Sequence, residues 1–309
     1  MSPILLSRYA LSGTLLLLAC SLNAAPPPRS AGPPLGTSVS IEAAYLHQFE
    51  ADIDDGGDFS VGRLFVQGGV NHTLANGFSA GLSVGGGQDS YDFNGTNDFG
   101  GSDPWSDVRN LRISVPMRYN PAGDCSYVLI PSLRYNFEDG ASLSDSQTFG
   151  ALATAAYRVS DTLTIGPGIG VFSQLEDSSS VFPILAIDWK ITPTLTLETG
   201  RGLAATQGPG LQLRWQAGSQ WTITGGGRYE KSRFRLDNNG PARKGIGEDK
   251  AIPLYVSASY AVKRGISFTG LVGADVSGSL RVEDEDGKRL SESDYDTAPF
   301  AALTLKARF

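Results

Sequence analysis

The sequence from Thr37 to Phe309 repeats one pattern, in which apolar and polar residues alternate over segments that end at turn-forming residues. A period of two places successive side chains on opposite faces of a β-strand. About fourteen such segments follow one another, and roughly 12 to 16 strands are compatible with the pattern. Each segment reaches the roughly 9 to 11 residues that a tilted strand needs to cross a bilayer. The predicted strands are 37–49, 58–74, 78–92, 107–120, 125–138, 147–159, 162–174, 180–191, 194–204, 209–218, 221–236, 251–263, 266–283 and 297–309.

Short and long connections alternate between these segments. Residues 75–77 and 160–161 form tight turns, whereas 93–106, 237–250 and 284–296 are long. This alternation is typical of an antiparallel up-and-down barrel that has short turns on one rim and long loops on the other. The sequence therefore predicts one all-β domain over residues 37–309.

The last segment alternates strictly and ends in an aromatic residue, because Leu303, Leu305 and Phe309 share one parity while Lys306 and Arg308 share the other. This end resembles the final strand of bacterial outer-membrane β-barrels. The resemblance implies that Phe309 is the signal read by the outer-membrane assembly machinery. It implies a single transmembrane β-barrel closed by its last and first strands, with both termini periplasmic. It also implies the outer membrane of a Gram-negative bacterium, with its lipids and lipopolysaccharide, as the environment.

A soluble barrel or sandwich would show the same alternation with its faces reversed, and alternation alone does not separate the two cases. Aromatic residues near the short-turn ends favour the membrane, because membrane barrels carry aromatic girdles at their interfaces. These residues are Tyr157, Trp189, Trp215, Trp221 and Tyr260.

The N-terminus has the features of a secretory signal over residues 1–24. Arg8 supplies the positive flank, and a short apolar core precedes small residues suited to cleavage. A lipoprotein-type cleavage, which would make Cys20 the lipidated first residue, is the alternative. Residues 25–36 form a proline-rich periplasmic spacer that cannot pack a core.

The chain has a net charge of −7. Nucleic acid is excluded as an expected partner because it requires a basic face, whereas divalent cations or basic ligands suit this charge. The long loops hold much of the negative charge, and hard cations prefer such carboxylate oxygens. Candidate ligands are Asp52, Asp54, Asp284 and Asp286, although a solvated anionic rim explains the same residues. No other cofactor is predicted.

Basic residues recur on the parity opposite the apolar face, so they are expected inside the barrel. The candidate lumen residues are Arg112, Arg118, Arg134, Arg158, Lys190, Arg214 and Arg228. Buried charges must be paired or hydrated. Two interpretations follow: a network of ion pairs that fills a closed barrel, or a hydrated pore that attracts anions. Gly166, Gly168 and Gly170 share the inward parity and indicate room for curvature or for a lumen.

Catalysis is not predicted. The chain contains two histidines, His47 and His72, which lie near opposite ends of adjacent predicted strands and share parity with lipid-facing residues. They therefore do not supply the base that hydrolysis near neutral pH requires. The leading hypothesis is a narrow channel or transporter for small, anionic solutes. The alternative is a closed structural or adhesive barrel that acts through acidic, cation-binding loops.

Overall fold

The computed structural model describes residues 35–95, 103–121, 123–176, 178–200 and 210–309. The predicted signal and nearly all of the proline-rich spacer lie outside these residues. So do parts of the predicted loops 93–106 and 175–179, all of the predicted loop 205–208, and the end of the predicted strand 194–204.

The described residues form fourteen antiparallel strands, three of them interrupted once. The strands are β1 (Gly36–Asp52), β2 (Asp58–Thr73), β3 (Phe78–Asn94), β4 (Asp107–Ser114 and Met117–Tyr119), β5 (Cys125–Glu138), β6 (Gln147–Arg158), β7 (Leu163–Ser173), β8 (Ser179–Lys190), β9 (Leu195–Thr199), β10 (Gly210–Gln216), β11 (Trp221–Arg228 and Glu230–Arg235), β12 (Ile246–Lys263), β13 (Ile266–Glu283) and β14 (Arg289–Tyr295 and Ala298–Arg308). A 3-10 turn at Ser144–Ser146 precedes β6. In the described ranges, no helix has the length and apolar character needed to cross a membrane.

The sheet closes through the pairing of β14 with β1, as the terminal aromatic residue predicts. The antiparallel register runs from Ser40 opposite Arg308 to Gln48 opposite Phe300. Phe309 extends it, because its N–H donates to the Val39 carbonyl at 2.8 Å and its carbonyl accepts from the Val39 N–H at 2.9 Å. This pairing removes the free edges of the first and last strands, as a sheet that spans an apolar bilayer requires.

The outward face of this barrel is apolar. Val272, Leu303 and Phe309 expose 63%, 71% and 71% of their surface. The predicted girdle is also outside: Tyr157, Trp189, Trp215 and Trp221 are exposed, and Tyr260 packs on Trp221 at a ring-centroid distance of 4.9 Å. The faces are therefore those of a membrane barrel, and the soluble alternative, with its apolar face inside, is wrong.

The connections follow the predicted alternation, with two corrections at the long-loop rim. β12 begins at Ile246 rather than at 251, and β14 begins at Arg289 rather than at 297. Two predicted long loops are therefore partly strand. The sequence conceals these extensions because charged residues occur on both parities, as in Glu248, Asp249 and Lys250.

The upper part of β11 leaves the barrel wall and crosses the interior. Among the described residues, the ladder of β10 with β11 ends at Gly210 opposite Arg228, and further along β11 Arg235 forms a parallel bridge with Phe137 of β5. Strands β6 to β10 separate β5 from β11 in the wall, so the two strands stand on opposite sides of the cylinder. We call residues 230–251, the end of β11 and the start of β12, the crossing hairpin.

Two hydrogen bonds anchor the crossing hairpin to β5. The Asn136 amide donates to the Arg233 carbonyl at 3.3 Å, and the Asp237 N–H donates to the Glu138 carboxylate at 2.8 Å. The same carboxylate accepts the Ser106 N–H at 2.9 Å. Glu138 thus joins the β3–β4 connection, β5 and the crossing hairpin at the long-loop end.

The outward face provides a test of membrane depth. We expect Val272→Arg to reduce the free energy of unfolding by about 2–4 kcal/mol, because Val272 faces lipid near the middle of the spanning part of β13. Leu290→Arg is the matched control, since Leu290 is 57% exposed but lies at the long-loop end of β14, where the cost is about 0–1 kcal/mol. Denaturant unfolding in lipid vesicles measures both, and equal costs would contradict this placement.

Candidate functional site

The crossing hairpin has a cavity on each of its faces. Glu230 and Ser232 line a first cavity of about 80 Å³ together with walls from β1 to β3 and β12 to β14. Tyr229 and Arg233, on the opposite parity, line a second cavity of about 350 Å³ with walls from β5 to β8. A strand that lies in the lumen, rather than in the wall, explains why both of its parities face interior space.

The first cavity is bordered by a neutralised cation. Arg63 contacts the Asp249 carboxylate at 2.7 Å, and the hydroxyls of Tyr91 and Tyr295 donate to the same carboxylate at 2.9 and 3.3 Å. Asp249 is buried, and a buried charge is costly unless it is paired. The guanidinium and the two hydroxyls supply the pairing. At this side of the lumen the positive charge of Arg63 is paired, as the ion-pair interpretation predicts.

An aromatic cluster fills the long-loop end of the lumen on the same side. Trp105, from the connection before β4, is 2% exposed. Its ring centroid lies 5.2 Å from that of Phe234 in the crossing hairpin and 5.6 Å from those of Tyr91 and Phe93. Such edge-to-face contacts add to the burial of large apolar surfaces. The loop residue and the hairpin therefore close this end of the barrel together.

The other face of the crossing hairpin is charged and is centred on Glu248. This carboxylate is 1% exposed and lies 2.8 Å from Lys231, 3.6 Å from Arg233 and 3.8 Å from Arg281. Arg233 also contacts Glu283 at 2.5 Å and Glu176, from the β7–β8 connection, at 2.9 Å. The network thus ties the hairpin to the opposite wall.

The network continues outside the membrane in the β13–β14 hairpin. Glu292 accepts from Arg281 at 2.6 Å and from Arg289 at 2.5 Å. These hydrogen bonds, led by that from Arg281, hold the pKa of Glu292 below its ordinary value. The Glu292 carboxylate therefore stays ionised, and its ion pairs persist, at mildly acidic pH.

Arg134 of β5 lines the second cavity, and the residue opposite it on β4 is also an arginine. Arg112 of β4 and Arg134 of β5 face each other directly in the strand register. Arg134 is 6% exposed, its guanidinium lies 4.0 Å from the centroid of the Phe172 ring, and its Nε has no hydrogen-bond partner among the described residues. Phe172 in turn stacks on Phe182 with centroids 6.1 Å apart and an interplanar angle of 5°. A buried guanidinium on an aromatic platform is the central feature of this cavity.

Glycines opposite the two phenylalanines make the platform possible. Gly150 faces Phe172 and Gly170 faces Phe182 across the strand ladder. A Cβ at either glycine would overlap the opposing ring. The space predicted from Gly170 is therefore filled by an aromatic side chain of the neighbouring strand.

The predicted lumen residues separate into three groups. Arg112 and Arg134 lie together at mid-strand. Arg214 pairs with Glu198 at 3.4 Å, and Arg228 pairs with Glu230. The remaining three, which lie at or near the short-turn ends of their strands, are Arg118, Arg158 and Lys190. The seven positions therefore do not form one basic stripe.

The histidines and the acidic loop residue Asp284 make local contacts in the described part of the chain. The His72 ring contacts the Thr37 hydroxyl at 2.9 Å, whereas the His47 ring packs on Phe49. The Asp284 carboxylate accepts the N–H groups of residues 286 and 288 in its own turn. Among the described residues, no three His, Cys, Asp or Glu side chains are placed to hold a metal ion. Cation binding by Asp52, Asp54, Asp284 and Asp286 stays a prediction.

Comparisons with known proteins address the fold. No protein-family model and no curated protein matches this sequence. The solved structure of an outer membrane channel from Pseudomonas putida F1 aligns over 93% of this chain and 100% of its own, with a TM-score of 0.50 and 11% identity. The likeness shows the fold. The prediction of an outer-membrane β-barrel is therefore confirmed.

Two further structures are similar at lower scores. The P. putida toluene transporter TodX aligns over 90% of this chain and 91% of its own, with 8% identity and a TM-score of 0.47. A Pseudomonas aeruginosa FadL homologue aligns over 88% and 89%, with 13% identity and a TM-score of 0.45. At these scores we draw no argument from either structure.

Residues central to the site were missed by the sequence analysis, above all Lys231, Arg233 and Glu248. Their signal was present, because Lys231 and Arg233 share the parity of the exposed Trp221 in one predicted strand. Consecutive cations on a lipid-facing parity are costly in an apolar bilayer. The pattern could therefore have indicated that this strand leaves the wall.

The Glu248 network can be tested by removing its centre. We expect Glu248→Ala to reduce the free energy of unfolding by about 2–3 kcal/mol, because Lys231 loses its ion-pair partner while Arg233 and Arg281 keep theirs. Glu285→Ala is the control, since Glu285 is 64% exposed and 4.0 Å from Lys244, and a surface pair contributes about 0–1 kcal/mol. Denaturant unfolding measures both, and similar losses would show that Glu248 is not the centre of the network.

Proposed function

We propose that this chain is an outer-membrane transporter for small solutes that favours anions. The observation that carries the proposal is the buried guanidinium of Arg134 on the wall of an interior cavity, with a second arginine, Arg112, opposite it on the adjacent strand. Like charges that face each other in a low-dielectric site repel, and an anion between them relieves this repulsion. The channel named in the similar structure from P. putida F1 supports a transport role for this fold.

The crossing hairpin is the barrier in this proposal. It occupies the lumen between the two cavities, and the aromatic cluster closes the long-loop end beside it. Solutes pass only when the contacts of the crossing hairpin with Glu138 and Glu176 are released. The structure corresponds to the closed state of such a transporter.

Planar-bilayer recording of the purified protein tests the proposal. We expect anion-selective conductance that rises when Glu138→Ala removes the anchor of the hairpin on β5. We expect Arg112→Ala and Arg134→Ala each to reduce the anion preference. Arg214→Ala is the matched control, because Arg214 is luminal but paired with Glu198, and its preference should stay close to wild type. No conductance, or a cation preference that Arg112→Ala and Arg134→Ala leave unchanged, contradicts the proposal.

A closed structural or adhesive barrel is the second candidate. The dense filling of the long-loop end by Trp105, Phe234 and the Glu248 network favours it. In this case the acidic loops would bind divalent cations and lipopolysaccharide, and the outer-membrane assembly machinery would remain a partner through Phe309. Calorimetric titration with calcium decides: heat and stabilisation at millimolar calcium support it, and their absence counts against it.

A further inference from the structure

We infer that the second cavity is a binding site for small aromatic carboxylates, with Arg134 as the residue that holds the carboxylate. The inference rests on the proposed transport function and names the class of its solute. The cavity volume of about 350 Å³ lies within the range of roughly 300–1,000 Å³ found for small-molecule sites. Such sites combine apolar walls with a few fixed polar groups.

The charge of the cavity calls for one anionic group. Its described lining contains Arg134, Lys231 and Arg233 but no Asp or Glu. Lys231 and Arg233 are neutralised from outside the lining, by Glu248 and by Glu176. Arg134 makes no ion pair among the described residues, although it is 6% exposed. A buried, uncompensated guanidinium is costly, so a ligand that supplies the missing charge binds favourably.

The orientation of Arg134 selects a planar anion. The guanidinium carbon of Arg134 lies over the Phe172 ring, 4.0 Å from its centroid. A guanidinium that stacks on a ring presents the N–H groups at its planar edge to other partners. A carboxylate can accept two parallel hydrogen bonds from this edge. A phosphate dianion would call for a second free cation in the described lining, and the other two cations there, Lys231 and Arg233, are already paired. A single carboxylate therefore matches the charge better than a phosphate does.

The apolar walls select the body of the ligand. Phe182 continues the stack beyond Phe172, and Leu175 and Tyr229 complete an apolar wall around it. A flat ring can stack on or meet the edge of Phe182, an arrangement that favours aromatic over aliphatic groups. Serine and threonine hydroxyls at Thr148, Ser173 and Ser180 offer hydrogen bonds to ring substituents. The site thus fits an aromatic ring that carries one carboxylate.

Isothermal calorimetry on the full chain in detergent, with benzoate as the probe, tests the inference. Acetate keeps the charge without the ring, and benzyl alcohol keeps the ring without the charge. We expect benzoate to bind about tenfold more tightly than either, because it uses both halves of the site. Binding no tighter than that of acetate or benzyl alcohol overturns the inference without any variant.

Variants assign the site to its residues. Arg134→Met keeps the length of the side chain but removes its charge, and we expect an affinity loss of about tenfold or more. Arg214→Met makes the same change at a paired luminal arginine and should bind benzoate as wild type does. Phe182→Leu should remove the preference for benzoate over acetate while acetate binding is kept. Unchanged benzoate binding in Arg134→Met overturns the inference.

Two further measurements keep the outcome clear. If Arg134→Met does not fold, Arg134→Lys keeps the charge but loses the two-pronged donor, and an affinity equal to wild type contradicts the role of Arg134. Bilayer recording of the same preparations separates the two proposals. Anion preference without benzoate binding contradicts the proposed binding site but supports the transport function. Benzoate binding without conductance supports the binding site but contradicts the transport function.

Discussion

The structure depends on one constraint: in an apolar bilayer, every backbone N–H and C=O group must find a partner within the protein. The pairing of β14 with β1 meets this constraint, with Phe309 and Val39 exchanging the final pair of hydrogen bonds. Once the sheet is closed, the period of two assigns each side chain to lipid or to the interior. The apolar outer face and the charged inner face are both consequences of closure.

Closure also creates an interior that must be filled or hydrated. Eight strands leave room for side chains alone, whereas a barrel of about 16 strands holds an aqueous channel, and this barrel lies between the two. Wall side chains fill part of the space by placing aromatic rings over glycines of the neighbouring strand, as Phe182 does over Gly170. The crossing hairpin occupies much of the rest, so the lumen is divided instead of continuous.

The sequence predicted the strands and their faces well, because both follow from local alternation and turn residues. It predicted Arg112 and Arg134 as inward residues, and the structure brings these two together. It did not predict the crossing hairpin, because the contact of Arg235 with Phe137 joins strands that are far apart in the sheet order. The alternation of residues assigns side chains to the two faces of a wall. It does not indicate that a strand leaves the wall. The partners of Arg214 and Arg228 depend on register, which alternation alone does not specify.

The break in β11 at Tyr229 separates two parts of the strand that differ in local stability. The wall is held by long ladders of backbone hydrogen bonds, whereas the crossing hairpin meets the opposite wall through a few side-chain contacts around Glu138 and Arg233. Local openings in proteins follow such differences in contact density and occur without global unfolding. The hairpin can therefore detach from β5 while its β12 half stays paired with β13, and the cylinder around it stays closed to lipid.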